Sequence, residues 1–290
     1  MAPGARRYIV LASALLSLAG ATVIIFSALR FRELSKRFFA IRLIFFLALT
    51  DCFAALFNIL GAFVDVDALL RSSGKVPFLC DLQAVGLLYF NLASILWTTC
   101  FAFTLYRDVV PSHRRHALRG YELYFHLLCW PVPAVLAGAA TQLGYLGDAG
   151  SWCALGLAYS FQYLVCFYVP LLLAFTFNVI TYAAVLAHSR ERRVSRITSL
   201  YLLGFAVVWL PSLLCRLQVF LSGSRAPPYA LAALEAACMP LQGALNALVY
   251  GWSLPSIRDV YRAMLLGTDS LEVERERPPS QQSDYSPPQP

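Results

Sequence analysis

Residues 8–29 read YIVLASALLSLAGATVIIFSAL and are followed at once by Arg30, Arg32, Lys36 and Arg37. A helix rises 1.5 Å per residue, so about 20 apolar residues cross the roughly 30 Å hydrocarbon core of a bilayer. This block is long enough. Arg6 and Arg7 stand ahead of it, as basic residues do in a signal peptide. The block is nevertheless longer than a signal h-region, and the basic cluster behind it is a stop-transfer pattern. It is therefore a retained first span.

Six further blocks of this kind follow, at about Phe38–Val64, Phe78–Tyr106, Tyr121–Leu143, Leu155–His188, Ile197–Leu221 and Pro228–Trp252. The whole chain is 59% hydrophobic and 13% charged, where a soluble domain carries about 25% charged residues. Water cannot solvate such a surface, and the fold class that follows is an all-α membrane protein, a seven-transmembrane helix bundle. Lys and Arg gather on the cytoplasmic side of short loops. The loops after spans one, three and five and the C-terminal tail hold sixteen of them, against five on the other side. That bias predicts a multi-pass protein with an extracellular N-terminus, residues 1–7, ahead of the seven-helix domain at 8–252. The net charge of +7 sits between apolar blocks, where it meets lipid headgroups and not nucleic acid.

After the seventh span, Ile257, Val260, Tyr261, Met264 and Leu265 recur at helical spacing with Arg258 and Arg262 opposite. Residues 253–267 are thus expected to form a short amphipathic eighth helix on the inner leaflet. Residues 268–290 are rich in Pro, Ser, Gln and Glu and predict a disordered cytoplasmic tail, with Ser280, Ser283, Tyr285 and Ser286 open to phosphorylation.

Within the spans, a few residues carry chemistry. Cys80 and Cys153 lie at the extracellular edges of blocks, and the other six cysteines lie inside them as small apolar side chains. In an oxidising compartment a Cys80–Cys153 disulfide would pin the loop across the mouth of the bundle; two free thiols are the other reading. Asp51, near the middle of span two, costs about 2.5–3.5 kcal/mol to insert and should face the interior. Either it meets water or a cation, or it is a hydrogen-bonded carboxyl that packs helices. Arg216 and Glu235 lie in the outer parts of spans six and seven, where they can pair. Arg216 either lines a polar cavity and meets an anionic ligand or snorkels outward. Trp209 and Pro211 share span six, and an interior proline makes a hinge there, as Pro170 does in span five. Asn246 and Tyr250 are four apart and share a face of span seven, for interhelical hydrogen bonds or a switch.

Several of these pieces occur together. Cys80 is followed by Ser94-Ile95-Leu96-Trp97-Thr98-Thr99-Cys100 and Leu105-Tyr106. Next come Leu127-Leu128-Cys129-Trp130-Pro131-Val132-Pro133 and Trp152-Cys153, then Gln242-Gly243 with Asn246 through Tyr250. Over spans two to seven this combination resembles the cyclic AMP receptor-like G-protein-coupled receptors. The resemblance implies a plasma-membrane receptor that passes the signal of a small extracellular ligand, such as a cyclic nucleotide or other small anion, to a heterotrimeric G protein. It implies a Cys80–Cys153 disulfide and a ligand role for Arg216, and Glu235, its expected pairing partner, is placed with it at the ligand site. It also implies a G-protein-facing surface at Arg107, Arg114 and Arg115, which Arg192 and Arg193 of the next basic inner loop are expected to join. The sequence departs from rhodopsin-like receptors at Tyr106-Arg107-Asp108 and at Ala247, and Ala154 stands where close relatives carry a second Trp.

Other functions fit less well. The only lysines, Lys36 and Lys75, are in loops, so no retinal Schiff base is available. A seven-helix small-molecule or ion transporter is the alternative, and it calls for an internal repeat that these spans lack. Of the histidines only His126 lies in a span, and no intramembrane catalytic cluster is present. No enzyme activity, cofactor or metal is expected.

Overall fold

Lipid offers a backbone no hydrogen bonds, so each crossing segment must satisfy its own. In the computed structural model, which describes residues 3–30, 39–63, 78–109, 118–148, 152–156, 159–188, 192–222 and 227–253, seven helical spans do so. The first three are single helices, Pro3–Arg30, Phe39–Phe63 and Phe78–Val109. Span four is Glu122–Cys129 followed by Pro131–Gln142. Span five runs Ser160–Tyr163, a wider turn at Leu164–Tyr168, then Val169–His188. Span six is Arg192–Ser222, and span seven is Tyr229–Cys238, Met239–Leu241 and Gln242–Ser253. The expected eighth helix and tail lie outside the described residues, as do Arg114 and Arg115.

Three boundaries differ from the sequence expectation by five residues. Span one already begins at Pro3, so residues 3–7 extend the helix. Span six begins at Arg192, which puts Arg192 and Arg193 in its first turn. Span five does not begin at Leu155. Residues Cys153–Leu155 form strand β2, antiparallel to β1 at Leu146–Asp148, with Leu146 opposite Leu155 and Asp148 opposite Cys153. Cys153, Ala154 and Leu155 are all apolar and run on into the block of span five, so pattern does not separate strand from helix there. The turn that delivers β1 is a Schellman ending of span four: the Tyr145 N–H bonds the Ala140 carbonyl and the Gly144 N–H bonds that of Thr141. Gly144 takes φ 67°, which a residue without Cβ adopts freely.

Prolines shape the spans differently. Pro131 restarts span four after Trp130. Pro170 has no N–H for the Cys166 carbonyl, and the ladder just before it widens, with the Val169 N–H bonding Leu164 five residues back. Pro240 tightens span seven into a three-residue turn. Span six stays helical through Pro211, which leaves the Val207 carbonyl without its ladder donor.

Close packing explains why some resemblance-bearing residues belong together. Trp97 of span three stacks on Phe46 at 5.1 Å and meets His126 at 5.1 Å and Trp130 at 5.8 Å. The Trp130 indole N–H donates to His126 Nδ1 at 2.9 Å, and the Cys100 and Cys129 sulfurs lie 3.6 Å apart. Arg42 is paired with Glu122 across spans two and four at 2.9 Å.

Spans one and seven touch backbone to backbone. A Cβ at Gly20 would lie 2.9 Å from Ala244 Cα, and one at Gly243 would lie 2.7 Å from Ser17 Oγ and 2.8 Å from the Ser17 carbonyl oxygen. The Gly243 N–H donates to Ser17 Oγ at 2.8 Å. Gly243→Ala is therefore expected to cost about 1–3 kcal/mol by overpacking. Gly138→Ala, with nothing within 4 Å of the new Cβ, should be neutral or slightly stabilising. Thermal midpoints of the two purified variants check the contrast.

Candidate functional site

One end of the bundle carries the β1–β2 hairpin. Cys80 opens span three and is disulfide-bonded to Cys153, with Cα atoms 5.2 Å apart. One turn further along, Gln83 Oε1 accepts the Cys153 N–H at 3.0 Å. Two adjacent positions of one helix thus hold β2 down. Beneath the hairpin is a narrow cavity lined by Asn91 of span three, Trp152 and Leu155 of the hairpin, Tyr163 and Phe167 of span five, Ser212 and Met239. It has room for about one water molecule. A ligand of nucleotide size enters only if hairpin and spans part.

Next to the cavity are the two charges that the sequence singled out. Arg216 is 8% exposed and Glu235 2%, and Arg216 Nη2 lies 3.6 Å from Glu235 Oε1. The separation is that of an ion pair and exceeds a good hydrogen bond. Glu235 instead accepts the Ser212 hydroxyl at 3.0 Å, and Tyr168 OH meets Ser212 Oγ at 2.8 Å. The guanidinium also sits 4.9 Å from the Tyr163 ring centroid, a cation–π contact. The chain is thus Tyr168–Ser212–Glu235–Arg216–Tyr163, across spans five, six and seven. Arg216 itself is not among the cavity-lining residues; Ser212 and Tyr163 are the links. Trp209, buried one turn inward, packs on Phe167 at 5.6 Å.

Asp51 occupies the middle of the bundle, 2% exposed. Ser94 Oγ donates to its Oδ1 at 2.6 Å and Asn246 Nδ2 to its Oδ2 at 2.7 Å. Gln242 Nε2 in turn donates to Ser94 Oγ. The carboxyl therefore ties spans two, three and seven together, with protein donors on both oxygens. Among the described residues no group of three or more His, Cys, Asp or Glu is arranged to hold a metal ion.

At the end opposite the hairpin, Tyr250 is buried against Phe101 at 5.5 Å and Tyr201 at 4.9 Å. Arg107 lies over the Tyr121 ring at 5.8 Å. Arg192 and Arg193 share that end through the first turn of span six. Ser94 and Gln242 stood in the stretches that carry the resemblance without a role assigned to them, and Ser212, Tyr168, Tyr163, Gln83 and Ser17 were not singled out from the sequence. Ser212 lies one turn before Arg216 and Gln242 one turn before Asn246, and that helical spacing was the available signal.

Seven apolar helices around a buried polar core define a multi-pass membrane protein of the seven-span type. The family described as slime mold cyclic AMP receptor matches residues 3–196, from the start of span one into span six, and the chain belongs to that family. It is 34% identical over 249 residues to cyclic AMP receptor-like protein A of Dictyostelium discoideum, covering 84% of this chain and 63% of that protein. It is 33% identical over 180 residues to G-protein coupled receptor 1 of Arabidopsis thaliana, covering 61% and 51%. With cyclic AMP receptor-like protein B of Dictyostelium discoideum the identity is 26% over 231 residues, covering 72% and 49%. The chain thus spans roughly half to two thirds of the length of these relatives.

Proposed function

We propose that this chain is a G-protein-coupled receptor of the plasma membrane, with its N-terminus outside. It takes a small anionic ligand at the hairpin end and engages a heterotrimeric G protein at the other. The observation that carries this reading is the buried Arg216–Glu235 pair, set beside a disulfide-tethered roof and five residues outward of Pro211. Guanidinium geometry suits carboxylate and phosphate, and the names of the Dictyostelium relatives favour a cyclic nucleotide as the first anion to try.

The mechanism follows from the pairing. An anion that competes with Glu235 for Arg216 loosens span six from span seven at the hairpin end. The Val207 carbonyl, which Pro211 leaves without its ladder donor, lets the inner half of span six swing, with Trp209 and Pro211 at the pivot. Asp51 and Asn246 hold the static spans together, and Tyr250, packed on Tyr201 of span six, joins them to the moving one. The basic residues Arg107, Arg114, Arg115, Arg192 and Arg193 then meet an acidic G-protein surface, and residues 253–267 lie along the inner leaflet ahead of a cytoplasmic tail.

Stimulated nucleotide exchange on a purified G protein, with the chain in lipid nanodiscs and a panel of cyclic nucleotides and other small organic anions, tests this. An active compound is expected. Arg216→Ala should weaken the response to it by roughly ten- to a hundredfold, as expected for loss of a charge-assisted bond of about 1.5–3 kcal/mol. Exchange that no compound raises argues against the receptor reading. An unchanged response in well-expressed Arg216→Ala removes only that residue.

A further inference from the structure

Where spans five, six and seven meet at the end away from the hairpin, Tyr182, Tyr201 and Tyr250 are buried in one cluster. The rings of Tyr201 and Tyr250 lie 4.9 Å apart, and both pack on Phe101, at 4.8 and 5.5 Å. All three phenol oxygens are buried and lack a hydrogen-bond partner among the described residues. So are both polar atoms of the Asn178 amide, one turn from Tyr182 on the same helix.

The helices themselves do not relieve these groups. Ser27, Thr50, Thr98 and Thr104 are buried hydroxyls too, and each returns its O–H to a carbonyl three or four residues back. A phenol oxygen sits at the far edge of a ring and cannot fold back to its own backbone. Native interiors satisfy such groups with ordered water, which both donates and accepts. Phenol and amide both do the same, so a neutral molecule of that character matches them better than an ion.

We infer that the hydroxyls of Tyr182, Tyr201 and Tyr250, with the Asn178 amide, form a buried water-binding site between spans five, six and seven. It extends the polar seam of Asp51 and Asn246, since Asn246 lies one turn from Tyr250. Its consequence rests on the receptor reading: these hydroxyls keep water partners when span six swings, so the inner end parts without stranding them.

Radiolytic hydroxyl-radical footprinting of the full chain in nanodiscs, with no G protein present, tests the site with water as the probe. Tyr182, Tyr201 and Tyr250 should be modified severalfold faster than Tyr168, an equally buried tyrosine whose hydroxyl meets Ser212. Tyr201→Phe with Tyr250→Phe, which keeps both rings, should bring Tyr182 down to the Tyr168 rate. Modification no faster than at Tyr168, or a Tyr182 rate that the double substitution leaves unchanged, overturns the proposal. The readout is independent of coupling: a hydrated cluster in a chain that activates no G protein leaves the site standing and counts against the receptor reading alone.

Discussion

Glu235→Leu is expected to destabilise the protein by about 3–5 kcal/mol, because it strands the Arg216 guanidinium in a buried position without its counter-ion. Ser212 loses its acceptor in the same step. The double substitution Arg216→Met with Glu235→Leu removes both charges. It should be nearly neutral, since a buried pair replaced by well-packed apolar groups often costs nothing. Thermal midpoints of the two single variants, the double variant and the parent close a double-mutant cycle. Additive losses would show that the pair is not coupled. The same double variant separates architecture from recognition, because it should fold and yet fail to respond to an anionic agonist.

The second large effect is expected at the hairpin. Cys80→Ser with Cys153→Ser opens a covalent loop of 73 residues and should cost about 2–5 kcal/mol. Gln83→Leu removes the neighbouring hydrogen bond to the Cys153 N–H and should cost about 1 kcal/mol. Hydrogen exchange at Cys153–Leu155 reads both. Fast exchange in the disulfide-free variant with slower exchange in Gln83→Leu is the expected order, and equal protection in all three proteins would mean that the strands hold themselves in place.

Much of this arrangement is legible in the amino-acid sequence. A bilayer imposes length and apolarity on every crossing segment, so the number of spans followed from the blocks alone. Charges inside spans are costly enough to announce themselves, which is why Asp51, Arg216 and Glu235 stood out and why the last two could be paired. The roles of Ser94, Gln242, Ser212 and Tyr168 were silent for the opposite reason. Uncharged polar residues are cheap in a span, and only the rotation of each helix decides which of them turn inward. The turn at Pro240 was overlooked, though it sets that rotation for Gln242, Gly243 and Asn246. The hairpin was not legible because β2 is three apolar residues without alternation that run on into the apolar block of span five.

The glycine contacts between spans one and seven bear on how such a bundle can move. Gly20 against Ala244, and Gly243 against Ser17, leave no slack for one helix to slide along or roll over the other. Span two is fastened to the same group through Asp51 and Asn246. In the proposed mechanism these three helices form a stator, and the working stroke falls to the rotor opposite, spans five and six, whose ladders are already interrupted by Pro170 and Pro211.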